Sequence, residues 1–391
     1  MIVATADWHL GKRQYGLSRR EKDFYKAAKK LILSIPSKSI VFNAGDIFDT
    51  ASPKFEAIKT LKEINDILIK NKSVMYYIEG NHDRAPNLKD NSSDFKHWTN
   101  LFEYKDESGN ALGIVKLNDG IPIYNTDENF VVVGFKEQPK QNLIDALTNY
   151  DYSAIDSKLL PNMRKVLLLH MSCKEFCSFA KDTTLSIKEI PNIKFWDFII
   201  IGDTHIFDRE INKDTYILSP GSIEMVSSSE PIDKYAWVLN LKDKGLDNIT
   251  VATRPTYQFF IRDGNEITDD LVTSIKDIAS ENPLIYLEVP DDVIGLNRIY
   301  KYLNLDQAIL RIKFIKTNKT KTHGIEIVDD DTEEVMSLDT FKENYLKANP
   351  LTLDDFTKKA LEDISRKEAD ADVSQIIDSI INMKQNNDTS S

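Results

Sequence analysis

Cysteine is nearly absent from the chain: Cys173 and Cys177 are the only two in 391 residues. Four positions apart, they would lie one turn apart on a helix. Two thiols are too few for a disulfide framework or a four-thiolate zinc site, and they read as reduced thiols beside a core. Long apolar runs are also missing. A membrane-spanning helix needs roughly 18–20 apolar residues, whereas the strongest run here, Phe198 to Ile201, is strand-sized. The opening Met1-Ile2-Val3-Ala4-Thr5-Ala6-Asp7 lacks the basic start, apolar centre and cleavage site of a secretory signal. No internal repeat or long low-complexity tract occurs. These absences argue against membrane and disulfide-rich secreted classes, and the expectation is a cytoplasmic chain. An excess of positive charge is missing too. Lys and Arg number 50 against 62 Asp and Glu, giving a net charge of -12, which argues against a generic polyanion-coating protein.

What is present is an ordinary globular balance, 41% hydrophobic and 29% charged, in a chain longer than one core usually takes. Over the first 240 or so residues, short β-type runs alternate with amphipathic helical stretches. The runs are Ile2–Ala6, Ile40–Ala44, Val74–Ile78, Val131–Phe135, Val166–Leu169, Phe198–Ile201 and Tyr216–Leu218. Phe24, Ala27, Ala28, Leu31, Ile32 and Ile35 recur at helical spacing between the first two, and Ile58, Leu61, Ile64, Ile67 and Leu68 between the next two. Buried strands alternating with helices predict a layered α/β domain over 1–250. A small α+β domain over 251–345 follows, with strands at Leu284–Val289 and Ala308–Phe314 flanking a helix at Asn297–Leu303. The acidic run 329–334 reads as solvated loop. A helical tail over 346–391 carries two apolar stripes, Leu353, Phe356, Ala360, Leu361 and Ile364, then Val373, Ile376, Ile377, Ile380 and Ile381. Those faces must be buried on their own domain or on a partner.

The chemistry-bearing residues fall at strand ends. Asp7 and His9 follow the first run, Asp46 and Asp49 the second, Asn81, His82 and Asp83 the third. His170 follows Val166–Leu169, and Asp203 and His205 follow Phe198–Ile201. Four of the six histidines lie in these segments; His97 and His323 match no strand end and read as ordinary helix or surface residues. Each fragment alone has a bland explanation: Asp in a Gly-Asp turn is a ready helix cap, and a lone His170 reads as a core histidine. Five such coincidences in order are harder to explain that way, because sites in α/β sheets form beyond the carboxyl ends of strands. Imidazoles, carboxylates and one amide oxygen suit Mn²⁺, Fe or Zn²⁺. The donors are too many for one ion, and Asp46 is central enough to bridge two. Two ions about 3.5–4 Å apart clamp the attacking and leaving oxygens of an in-line displacement at phosphorus. The indicated chemistry is metal-assisted phosphoester hydrolysis.

Asp7-x-His9, Gly45-Asp46-x-x-Asp49, Gly80-Asn81-His82-Asp83, His170 and Gly202-x-x-His205 together resemble the calcineurin-like metallophosphoesterases. The longer stretches Asp7-Trp8-His9-Leu10-Gly11-Lys12, Gly45 to Pro53 and Glu79 to Arg84 are similar to the SbcD-type DNA double-strand-break repair nucleases and their phage relatives. The motif match covers about residues 1–225. The resemblance implies an α/β/α metallophosphoesterase sandwich with a small α+β capping domain and C-terminal helices. It implies one metal at Asp7, His9 and His205, with Asp46 bridging, and a second at Asp46, Asn81, His170 and Asp203. It also implies that His82 stands beside the scissile phosphate, oriented by Asp83 or Asp49. The family usually has Gly-His-x-His where this chain has Gly202-Asp203-Thr204-His205. The harder, charged oxygen donor favours Mn²⁺, or Mg²⁺, over Zn²⁺. Ser219-Pro220-Gly221-Ser222 resembles the family's Pro-Gly-Ser turn, and is equally an ordinary tight turn.

Residues 11–30 hold eight basic side chains against Glu21 and Asp23, a local charge of +6 that leaves -18 for the rest. This is either an exposed helix face or a phosphate-contacting lip beside the first motif. On the second view Lys12, Arg13, Arg19, Arg20 and Arg84 contact DNA, while Trp8 and Tyr15 are more simply explained by packing. By resemblance the chain is a two-metal DNA exonuclease and single-strand endonuclease acting in repair or recombination. It would be a homodimer through helices near 55–70 and 90–102, bound to an SbcC-type ABC ATPase by its C-terminal helices. A small-molecule or nucleotide phosphodiesterase on the same fold, and a non-catalytic DNA-end or ATPase-binding scaffold, are the alternatives.

Overall fold

In the computed structural model, residues 1–84, 102–107, 109–177, 183–261, 266–291, 293–303 and 308–315 are described. Two compact units divide the chain, Met1–Thr253 and Arg254–Ser391. The acidic run, His97, His323, the stretch near 90–102 except its last residue, and the 346–391 tail lie outside the described residues.

The first unit is built on two sheets. One runs β13 (Gly245–Val251), β12 (Lys234–Asn240), β1 (Ile2–Thr5), β2 (Ile40–Asn43), β3 (Val74–Tyr77), β5 (Ala111–Lys116), β4 (Glu103–Lys105). The other runs β10 (Asp208–Asn212), β11 (Thr215–Ser219), β9 (Phe198–Gly202), β8 (Arg164–His170), β7 (Phe130–Phe135), β6 (Ile123–Asn125). Each has a parallel centre, β1-β2-β3-β5 and β7-β8-β9-β11, with antiparallel strands at its edges. Alternation along each strand sorts the apolar side chains into layers. Ala4, Phe42 and Tyr76 from the first sheet meet Phe130, Val132, Leu168 and Ile200 from the second in a core between them. Val3, Val41 and Met75 point the other way, onto α1 (Ser18–Ser34) and α2 (Phe55–Lys70). Val133, Leu167 and Ile201 pack outward with Leu143 and Leu147 of the helix Lys140–Thr148. The layered sandwich expected from the sequence therefore has its strands shared between two sheets, so the layers number four.

Both main helices follow from their apolar spacing. In α1, Phe24, Ala27, Ala28, Leu31 and Ile32 form the buried stripe. The helix stops at Ile35, which Pro36 forces into the extended region (φ -84, ψ 144). The runs predicted as strands correspond to β1, β2, β3, β7, β8, β9 and β11. The remaining strands are edge or near-edge elements of mixed polarity, such as the exposed Asp208–Asn212, which carry little apolar signal. Cys173 pairs with Leu185 in an isolated β-bridge and Cys177 follows the turn after it, so neither is on a helix, and both are free thiols.

In the second unit β14 (Thr256–Phe260), β15 (Leu284–Pro290) and β16 (Ile309–Ile315) form a parallel sheet in that order. Ile285, Leu287 and Val289 pack with Val272 and Ile275 of the helix Asp269–Ile278, which Thr268 caps by accepting from the Leu271 amide. A short helix at Asn297–Tyr300 lies between the last two strands, as the apolar pattern suggests.

Candidate active site

The candidate residues gather at one edge of the first unit, where the carboxyl ends of β1, β2 and β3 meet those of β8 and β9. The loops after β1 and β2 are zipped together: the Asp7 amide donates to the Gly45 carbonyl (3.0 Å), and the Trp8 and His9 amides to that of Asp46 (2.8 and 3.0 Å). Two further bonds cross between the sheets. His170 Nδ1 meets the Ala44 carbonyl at 2.6 Å, and the Asp203 amide donates to Asp7 Oδ1 at 3.0 Å.

Tight backbone turns bring these side chains inward. Asp7, His9, Asp46, Asp203 and His205 all have positive φ, from 44° to 86°. Left-handed backbone costs roughly 1–2 kcal/mol for a residue with a Cβ, and Asp and His are among the types that adopt it. Five such residues in one cluster mark a site that the surrounding bonds over-determine. Glycines give the room. A Cβ on Gly45 (φ +100) would lie 2.3 Å from His170 Nδ1, and one on Gly80 would lie 2.0 Å from Asp46 Oδ1.

Asp7, His9 and His205 bring one ligand atom each within 4.8 Å of one another, as do Asp7, Asp46 and His170. His9 Nε2 and His205 Nε2 face each other at 3.1 Å. His170 Nε2 lies 3.0 Å from Asn81 Oδ1, 3.3 Å from Asp46 Oδ2 and 3.8 Å from Asp203 Oδ1. Asp46 Oδ2 is buried without a hydrogen-bond partner, 3.8 Å from His9 Nε2. A buried carboxylate oxygen between imidazoles of two groups, with nitrogen and oxygen donors around it, fits a divalent cation. All seven candidate ligands are thus brought to one edge, but Asp7 closes the group around Asp46 and His170 as well as the group with His9 and His205, where the resemblance implied Asn81 and Asp203 beside His170. His82, His9 and Asp46 form a third close group that was not anticipated.

The electrostatics agree with that chemistry. Burial pushes His9 down to about 4, leaving a neutral imidazole able to ligate. Burial raises Asp7 to about 6 against the pull of His205 and His170. Burial alone would depress His170, but Asp46, Asp7 and Asp203 outweigh it and hold its proton well above the imidazole range. The positive charge this proton supplies among carboxylates is the kind a cation would supply.

Two expectations need correction. Asp83 does not orient His82. It is fully buried and accepts the amides of Ile47, Phe48 and Gly80 (3.2, 2.9 and 3.0 Å), bracing the loops after β2 and β3. Burial, then Asp46, raises its pKa to about 7. Asp49 does hold His82, through its backbone carbonyl (2.8 Å from Nδ1), while its carboxylate faces His9 Nδ1 at 3.4 Å and Lys12 Nζ at 3.3 Å. Arg20 is not a DNA contact, being 0% exposed and spent on Asp23, Glu224, Gln14 and the Met225 carbonyl.

The rest of the basic segment is mixed. Arg13, Lys22, Lys26 and Lys30 are exposed and Arg19 partly so, whereas Lys29 pairs with Glu63. Arg84 is turned to Glu137 (3.0 Å). Trp8 is fully buried, its indole N–H donating to Thr5, so it packs rather than stacks on bases. Sequence reasoning missed Glu230, which accepts from His205 Nδ1 (3.0 Å), and Ser172, whose hydroxyl donates to Asp203. Glu230 belongs to no motif; Ser172 stands two residues past His170, on the same strand-end segment, which was its only signal.

Comparisons with known proteins agree with this geometry. The DNA double-strand break repair protein Mre11 of Methanosarcina mazei is 27% identical over 325 residues, 80% of this chain and 49% of that protein. The protein of the same name from Saccharolobus solfataricus is 25% identical over 342 residues, 82% and 83% of the two chains. The SbcD component of the nuclease SbcCD from Staphylococcus epidermidis is 25% identical over 319 residues, 76% and 83%. The chain spans about half the length of the two Methanosarcina relatives it matches. The family model for the calcineurin-like phosphoesterases matches residues 1–207, over half of the chain and every strand-end segment described above. This chain therefore belongs to the calcineurin-like phosphoesterase family.

Proposed function

We propose that the chain is a divalent-metal-dependent DNA nuclease that hydrolyses phosphodiester bonds in repair or recombination. The observation that carries the reading is the buried Asp46 Oδ2, without a hydrogen-bond partner and set between His9 and His170, at the junction of two donor groups. The names of the relatives, which concern double-strand-break repair and the SbcCD nuclease, support DNA as the substrate.

Asp7, His9, His205 and Asp46 would hold one ion, and Asp46, Asn81, His170 and Asp203 a second, Mn²⁺ before Mg²⁺. Bound ions supply Lewis-acid charge to the phosphodiester and to the water that attacks it. His82 then handles a proton. Its Nδ1 is committed to the Asp49 carbonyl, which leaves Nε2 on the other side of the ring to stabilise charge on the phosphate or protonate the leaving 3′ oxygen. Asp83 and the Asp49 backbone keep that ring and its loop in place. Lys12, beside Asp49, and Arg13 and Arg19 next to it in sequence are the phosphate-contacting cations of this reading, with Arg84 as an outer member.

Exonuclease action on duplex ends, endonuclease action on single strands, a homodimer and an SbcC-type ATPase partner belong to the same proposal. The test is nicking of labelled DNA with Mn²⁺ by wild type and His82→Ala. Loss of a general acid costs about 10²–10⁴-fold in rate, and a fall of that size with retained metal binding is expected. Equal activity in both proteins would overturn the assignment.

A further inference from the structure

Glu230 lies outside every motif, yet its buried carboxylate is heavily engaged. It accepts from His205 Nδ1 (3.0 Å), Ser222 Oγ (2.9 Å), Lys234 Nζ (2.6 Å) and the amides of Val226 and Ser227 (3.2 and 3.1 Å). Burial would push its proton on, but Lys234 and His205 more than offset this and keep it ionised. The loop that delivers it is tied down from the other side. Gln14 Nε2 donates to the Val226 carbonyl (2.8 Å), and Arg20 reaches the Met225 carbonyl (3.0 Å) and Glu224 (3.1 Å). So many donors leave this carboxylate one orientation, and His205 faces a fixed acceptor.

His205 needs such an acceptor. It stands on left-handed backbone (φ 56°) with its side chain 21% exposed, so packing alone does not fix its ring. An Nδ1–H given to Glu230 leaves the lone pair on Nε2, the atom 3.1 Å from His9 Nε2. We propose that Glu230 is a positioning residue that holds His205 in the tautomer and orientation turning Nε2 towards His9, and so sets the divalent-ion affinity of the Asp7–His9–His205 half of the site. The inference rests on the metal-dependent reading above. A carboxylate behind a ligating imidazole pins the ring and raises its basicity, and removing one typically lowers metal affinity about 10–100-fold.

The experiment is a Mn²⁺ titration of the full chain by calorimetry, with electron paramagnetic resonance of the bound ions, for wild type, Glu230→Gln, Glu230→Asp and Ser222→Ala. Wild type is expected to take two ions. Glu230→Gln keeps one at wild-type affinity and weakens the other about 10–100-fold. Glu230→Asp, which keeps the charge beside Lys234 but draws it back from His205, falls between. Ser222→Ala, which removes a support of Glu230 and leaves the Glu230–His205 hydrogen bond in place, stays closer to wild type than Glu230→Gln does. Two ions at wild-type affinity in Glu230→Gln, or equal weakening of both, would overturn the proposal. If Glu230→Gln does not fold, unchanged binding by Glu230→Asp overturns it. A wild-type chain that binds no ion removes the metal-dependent reading as well, a result that needs no variant.

Discussion

His170 and His205 both extend from neighbouring strands of the second sheet, but their rings are held in different ways. His170 is fully buried and gives Nδ1 to a backbone carbonyl, that of Ala44 at the end of β2. His205 is partly exposed and gives Nδ1 to a side chain, Glu230, delivered by a loop 25 residues further on. One half of the site is therefore set by the sheets themselves. The other depends on side chains that a single substitution can remove. His9 is held by neither device: its Nδ1 faces the Asp49 carboxylate at 3.4 Å without a hydrogen bond. The lesson is that a strand end fixes where a ligand sits, while its ring orientation can be assigned to distant sequence.

The largest effect should come from the residue common to both halves. Asp46→Ala removes the oxygen lying between His9 and His170, and both ions should bind poorly in calorimetry. Nuclease rate should fall about 10³-fold, the equivalent of roughly 4 kcal/mol of lost charge stabilisation. Loss of one ion only would mean that the halves are independent.

Arg20→Met probes the loop behind His205. It leaves Glu224 and Asp23 buried without their cation, and breaking such a pair costs about 3–5 kcal/mol. Denaturant unfolding should show this, whereas Arg13→Ala, on the exposed surface, should stay within about 0.5 kcal/mol of wild type. If the two variants are equally stable, Arg20 is not the clamp described.

The smallest effect concerns the brace under His82, measured without metal. Asp83 has its pKa raised by burial to about 7, so the folded chain keeps a proton that the unfolded chain has released above its ordinary carboxylate value, near 4. Its contribution to stability is complete below that value and is lost as pH rises to about 7 and beyond. Asp83→Asn cannot titrate and accepts fewer of the three amides. Its deficit against wild type should be largest near pH 4 and shrink by pH 8 in denaturant melts. A deficit that grows over this range would contradict the assigned direction.

Much of the site was legible in the sequence because a strand end is a local feature. Asp7, His9, Asp46, Asn81, His170, Asp203 and His205 each stand beside a short apolar run, and parallel strands carry their ends to one edge. What was hidden depends on long-range pairing. The strands divide between two sheets, which no local pattern records. Arg20 looks like a surface cation among seven others, and only the arrival of Glu224 across 204 positions buries it. Asp83 sits beside His82 in the motif, yet its carboxylate turns back to three amides instead. The basic segment, a single patch in the sequence, is divided by the fold: Arg20 is buried while Arg13, Lys22, Lys26 and Lys30 are exposed.

On the proposed function the strand-end cluster would hold two divalent ions. The most direct test is anomalous diffraction at the manganese edge from a crystal soaked in Mn²⁺. Two peaks are expected, one bounded by Asp7, His9 and His205 and one by Asn81, His170 and Asp203, with Asp46 between them. A single peak, or ions bound elsewhere with these side chains unmoved, would contradict it.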